Sequence, residues 1–255
     1  MGILRMRDQA LTDAKKREQF DNAFEGVITG LETIRTAAKT VVQLYSSHSE
    51  RVARGETARI VGGSVFIDEN IDPELRKQTE IVISTAGRVV KDKMQEVLRL
   101  LNVDIGFFYK KPSTFANGIA ALKQQNASLA NYLELARAKW SERLRNCRDA
   151  LEHGTWKLPR VGHVADSASV RAIEPMVDGQ PVTQFVTHMA DRVCCFVEEM
   201  CAHALQARMP DGISITEIPL AERKPEIVER FQPALAGGGM PIWIVSYHDS
   251  KFEDT

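Results

Sequence analysis

The chain has 255 residues, 44% of them hydrophobic and 26% charged, with a formal net charge of -1. These are ordinary globular proportions: they exclude long disorder and argue against a generally basic nucleic-acid coat, leaving only a local basic patch. No stretch approaches the roughly 20 apolar residues of a membrane span. The start, Met1 to Arg7, leads into a charged helix rather than an apolar signal core, and Met6 stands where a myristoylation motif needs Ser or Thr. The expectation is therefore a cytoplasmic protein with no membrane association.

The first helical pattern runs from about Asp13 to Arg54. Its apolar stripe is Phe20, Phe24, Val27, Leu31, Ile34, Ala38, Val41 and Tyr45, in steps of three and four. Gly26 and Gly30, one turn apart, weaken this helix slightly but let a neighbour approach closely. Gly55 and the Gly62-Gly63 pair end it, and Ser64–Asp68 reads as a short strand. Asp72 is placed as the cap of a second helix, with Pro73 in its first turn. That helix continues to about Asn102 through Leu75, Val82, Ala86, Val89, Lys93 or Met94, Val97 and Leu101.

Phe107, Phe108 and Tyr109 form an aromatic connector expected to plug the end of a bundle. A short helix follows from Ser113 to Leu122. Asn126 or Ser128 then opens the most regular pattern of the chain: Leu129, Leu133, Ala136, Trp140, Leu144, Cys147 and Leu151, with Gly154 as the stop. Short strands are expected at Trp156–Val161 and Val170–Ile173. The last long helix begins near Pro181 and runs through Phe185, Met189, Val193, Phe196, Met200 and Ala204 until Pro210. Beyond it, Ile213–Pro219 and Ile242–Tyr247 are β-like, with Gly237, Gly238 and Gly239 forming a turn between them.

The fold class that follows is mainly α: a bundle of long antiparallel amphipathic helices over 1–210, with small β decorations in the loop 154–180 and in a β-rich C-terminal appendage, 211–255. Cys147, Cys194, Cys195 and Cys201 all fall in helical patterns and read as buried thiols. A zinc site through Cys194, Cys201 and His203 lacks a second ligand pair, so no metal and no cofactor is expected. His48 and His163 read as isolated surface side chains. Glu199 and His203 read as an ordinary pair one turn apart.

One helix end carries more. At 100° per residue, Glu142, Asn146, Asp149 and His153 form a polar ridge opposite the stripe of Trp140, Leu144, Cys147 and Leu151, flanked by Arg145 and Arg148. From Arg137 to Arg160 the chain holds a net +4 patch that includes Arg143 and Lys157. Such a patch suits a phosphate backbone, because arginine forks grip phosphate in a bidentate way.

The run Arg148-Asp149-Ala150-Leu151-Glu152-His153 resembles the Arg-x(4–6)-His motif of the HEPN (higher eukaryotes and prokaryotes nucleotide-binding) superfamily, with Asp149 at the position that often follows the arginine. The resemblance implies a HEPN-like core around 73–210 and a homodimer whose motif helices face one another across a cleft. It also implies a metal-independent endoribonuclease activity of the toxin or defence kind, with an antitoxin or regulatory protein as a further partner. Carried onto these positions, His153 becomes a general acid/base on a ribose 2′-OH or a leaving 5′-oxygen. Arg148 stabilises the scissile phosphate and Asp149 orients one or both. Arg143, Arg145, Asn146 and Lys157 are the expected substrate-binding residues. The alternative is a non-catalytic dimerisation or interaction protein in which Arg148–His153 is a helix cap or contact, since cations in a last turn and a following glycine also terminate helices well.

Overall fold

The computed structural model describes residues 2–166, 169–218, 221 and 231–235. Along the chain come α1 (Gly2–Ala10), α2 (Ala14–Ala53), β1 (Ala58–Val61), β2 (Ser64–Ile67) and α3 (Asp72–Arg88). A π-helical turn at Val89–Lys93 joins α3 to α4 (Met94–Leu100). Then follow α5 (Pro112–Gln125), α6 (Ala127–Ala136), a second π-helical turn at Arg137–Ser141, and α7 (Glu142–Glu152). Next are β3 (Gly162–Asp166), β4 (Ser169–Ile173), β5 (Met176–Val177), β6 (Gln180–Pro181), α8 (Val182–Gln206), β7 (Ile213–Glu217) and β8 (Phe231–Leu235). Helix accounts for 66% of the structure and the strands pair only as two-stranded antiparallel hairpins, so the mainly α class holds. Among the described residues no helix is long and apolar enough to cross a membrane.

The residues fall into two compact units, one drawn from 1–19, 98–139 and 198–255, the other from 20–97 and 140–197. In the first unit, α5 packs on α6 and α1 packs on β8. Phe108 is fully buried, and its ring and that of Phe107 lie 6.3 and 6.2 Å from Phe115. Gly118 is what admits this packing: a Cβ there would stand 2.1 Å from the Phe107 ring. The Asn126 side chain accepts the Leu129 N–H at 3.0 Å and so starts α6, supplying the oxygen that an N-terminal turn lacks. Its amide lies 3.3 Å from His203 Nε2, and burial pushes His203 down to about 4.

In the second unit, α2 is the long amphipathic helix expected from the sequence, and Phe20, Phe24, Val27, Ile34, Ala38 and Val41 are buried. It starts behind Asp13, whose carboxylate accepts the Lys15 N–H at 2.8 Å. Gly30 touches the first π turn so closely that a Cβ would sit 2.3 Å from Val89 Cγ2, and at Gly26 it would meet Lys93 Cδ at 3.1 Å. The two glycines therefore form the notch expected of them, and the π turn lies in it. That turn inserts one residue into the helical period, which is why both Lys93 and Met94 fit the apolar stripe; Met94 is the one buried. The facing helices of this unit are α3 and α7. Trp140 meets Phe196 edge-on, with ring centroids 5.7 Å apart.

Three local expectations are corrected. Gly62 and Gly63 do not end α2. With φ of 58° and 82° they form the two-residue turn between β1 and β2, a geometry that right-twisted strands favour and side chains resist. Asp72 does not cap α3: its Oδ1 accepts the Val161 N–H at 2.9 Å, a bond to a residue far along the chain. That bond also explains why Trp156–Val161 is not a strand, since the Val161 N–H goes to a side chain and the Trp156 N–H to the Ala150 carbonyl. The hairpin instead pairs Gly162–Asp166 with Ser169–Ile173. In the C-terminal segment β7 pairs with β8; the β-like stretch Ile242–Tyr247 and the Gly237–Gly239 turn lie outside the described residues.

Candidate functional site

α7 ends in a complete C-terminal cap. His153 is the last residue of the turn, Gly154 has φ of 66°, and the N–H groups of Gly154 and Thr155 return to the carbonyls of Leu151 and Ala150 at 3.0 and 2.9 Å. This is the double hydrogen-bond stop that glycine makes possible. It leaves the His153 side chain exposed at the helix end.

The polar ridge is a closed ionic network. Arg145 donates to Asp149 at 2.7 Å, to Glu142 at 3.0 Å and to Asn146 at 2.8 Å, and its side chain is only 16% exposed. Arg148 points elsewhere. It pairs with Glu152 one turn on and lines an open depression of about 280 Å³ with Leu151, Glu152, and Ser84, Thr85, Arg88 and Asp92 of the α3 side. Within one chain, then, Asp149 belongs to the Arg145 network, Arg148 to the α3–α7 depression, and His153 to the helix end. The structure does not gather the three motif residues into one cluster.

Of the expected substrate-binding residues, Arg143 is committed to its own chain. Its guanidinium donates to Gln180 Oε1 at 2.7 Å and to the Val177 and Asp178 carbonyls at 2.8 Å, and it stacks 5.2 Å from the Phe185 ring centroid. It fastens the β5–β6 hairpin. Arg137 is likewise buried, donating to the Phe108 and Lys110 carbonyls beneath the Phe115 ring. The net +4 patch is thus not a continuous cationic surface, because most of its arginines satisfy carbonyls and carboxylates of the same chain. Lys157 and Asn146 are exposed.

Two sets of residues carry no signal in the sequence. Ser84, Thr85, Arg88 and Asp92 come from α3 and its π turn, and nothing in the chain near Arg148 signals them. The other set is a junction centred on a buried histidine. His48, 1% exposed, sits with Nδ1 2.9 Å from Glu69 and Nε2 3.0 Å from His163 Nε2. Arg51 donates to the other Glu69 oxygen at 2.5 Å. The two histidines that read as isolated are partners. The bond from His48 and the Arg51 guanidinium hold the Glu69 carboxyl below the usual range, while burial and the neighbouring His48 lower His163. A carboxylate can only accept, so Nδ1 of His48 carries its proton toward Glu69.

Of the four thiols expected to be buried, Cys147 and Cys201 are, whereas Cys194 and Cys195 are half-buried. Burial and the Asp178 carboxylate push Cys147 up to about 11, and burial raises Cys201 further still. Among the described residues no group of three or more His, Cys, Asp or Glu side chains is placed to hold a metal ion. No protein-family model matches the chain, and no curated protein or solved structure matches it either.

Proposed function

We propose that this protein is a HEPN-like, metal-independent endoribonuclease of the cytoplasm, built on an antiparallel helical bundle and active as a homodimer. The observation that carries the reading is the end of α7. There the motif histidine is left exposed by its cap, and the motif arginine lies in an open depression rather than in the core.

Since Arg148 and His153 diverge within one chain, the chemistry calls for two copies with their α7 ends facing a common cleft. One His153 takes the proton of a ribose 2′-OH as that oxygen attacks the adjacent phosphorus. The partner subunit's His153 gives a proton to the departing 5′-oxygen. The P–O5′ bond breaks, leaving a 2′,3′-cyclic phosphate and a free 5′-hydroxyl. Arg148 stabilises the charge that builds on the phosphate, and Asp149 keeps Arg145 in place beside the cleft. Incubation of purified protein with mixed RNA in excess EDTA tests this. Cleavage by the wild type and its loss in His153→Ala are expected; equal RNA survival with both proteins ends the enzymatic claim.

A second reading has its own observation. Every motif residue already serves the fold, with Arg148 paired to Glu152, Asp149 paired to Arg145, and His153 closing the cap. In that case the segment belongs to a non-catalytic dimerisation or interaction protein. His153→Ala then alters melting or sedimentation and leaves RNA untouched.

A further inference from the structure

The basic residues adjacent in sequence to the motif are largely engaged with their own chain, which leaves few cations for an anionic ligand. Arg88 is one. It closes α3, is exposed, and its guanidinium has no ion pair or hydrogen bond among the described residues. It shares the α3–α7 depression with Arg148, whose carboxylate partner Glu152 sits at the same rim. The hydroxyl residues Ser84 and Thr85 complete the α3 wall, Leu151 supplies an apolar patch, and Asp92 adds a carboxylate on the α3 side.

A second observation concerns how Arg88 is held. The π turn begins at the next residue, Val89, and is wedged into the Gly26–Gly30 notch of α2. Single π turns inside helices recur at functional sites, because the inserted residue redirects the side chains around it. Here the turn anchors Val89 and Lys93 against α2, while Arg88 and Asp92 line the depression.

We infer that Arg88 and Arg148 form a two-guanidinium clamp for a single phosphate group of RNA, an inference that rests on the ribonuclease reading of α7. The ligand displaces Glu152 from Arg148, exchanging one carboxylate oxygen for a phosphate that accepts from both forks and from the hydroxyls of Ser84 and Thr85. Asp92 opposes binding by its charge and limits the clamp to one phosphate.

The test is fluorescence anisotropy with a labelled single-stranded RNA whose 2′-hydroxyls are methylated, so that binding is read without cleavage. Arg88→Ala is expected to weaken binding about tenfold, the scale of a lost charged hydrogen-bond contact, and to reduce the slope of log affinity against log salt by about 0.7. Glu152→Gln, which removes the competing carboxylate from Arg148, is expected to tighten binding severalfold. Arg35→Ala removes an exposed arginine of α2 and leaves affinity unchanged.

Arg88→Ala binding as well as Arg35→Ala, or no binding by the wild type even at low salt, overturns the clamp. Arg88-dependent binding of the methylated RNA with native RNA left intact retires the nuclease reading and keeps the clamp. His153-dependent cleavage of native RNA, with Arg88→Ala retaining full affinity for the methylated RNA, does the reverse.

Discussion

The end of α7 and the junction of α2 with β3 each place a histidine among charged side chains, yet they are built in opposite ways. At the end of α7 the ionic partners lie within one turn of each other and His153 projects into solvent. At the junction, Glu69, His48 and His163 come from distant parts of the chain and His48 is buried. Local pairs on an exposed helix contribute only tenths of a kcal/mol each. A hydrogen-bonded group that is buried costs its desolvation when its partner is removed. The first region is therefore free to change and to meet a ligand, whereas the second ties elements together.

The most direct way to break this contrast is His48→Ala. It removes the partner of His163 and one of the two partners of Glu69, which keeps Arg51, and it empties a buried site, so a loss of about 2–3 kcal/mol in unfolding free energy is expected by denaturant titration. A loss below about 1 kcal/mol removes the junction from the framework of the fold.

Next in size is Gly30→Ala. The helix gains roughly 1 kcal/mol of propensity, but the new Cβ overlaps Val89 in the π turn. A net loss of about 1–2 kcal/mol is expected from overpacking. A stabilised variant would show that the notch relaxes and does not hold the turn behind Arg88.

Acid sharpens the comparison further. Burial and then His48 lower His163 from its ordinary 6.5, with the Asp72 carboxylate acting the other way. A folded value below the unfolded one means that the unfolded chain binds the extra proton first. The stabilisation is complete above about pH 6.5 and is lost as pH falls from there toward the folded value. His203, pushed down to about 4, adds a loss of the same sign in the other unit, so the informative measurement is a difference. Melting temperature against pH is expected to fall less steeply for His163→Gln than for the wild type. Parallel wild-type and His163→Gln profiles would mean that the junction does not sense acid.

The smallest effect belongs to the region with the sequence motif. His153→Ala removes an exposed ring whose backbone alone makes the cap, so a stability change within about 0.5 kcal/mol is expected. A large loss would make His153 a structural residue and favour the interaction-protein reading.

How much was legible in the sequence follows the range of the interactions. The stripes of α2, α3 and α6–α7 were readable because burial repeats with the helical period, and Asn126 and Gly154 were readable as local start and stop signals. That Lys93 and Met94 both fit the stripe is the trace of the π turn, although periodicity alone does not identify it. Arg143 and Arg145 looked like one basic surface because charge counts along the chain do not show where a flexible side chain ends. Tertiary contacts turned the first onto the β5–β6 hairpin and closed the second into the ridge.

By itself, then, the sequence determined a mainly helical chain, the polar and apolar sides of α7, and the position of its end at His153. These follow from nearest-neighbour geometry repeated along one element. Only the tertiary structure decided that Arg148 leaves the ridge for the α3 side, that Arg88 waits there, and that His48 and His163 share a hydrogen bond. Each depends on bringing together residues far apart in the chain, and no periodicity records which distant side chain a given donor will meet.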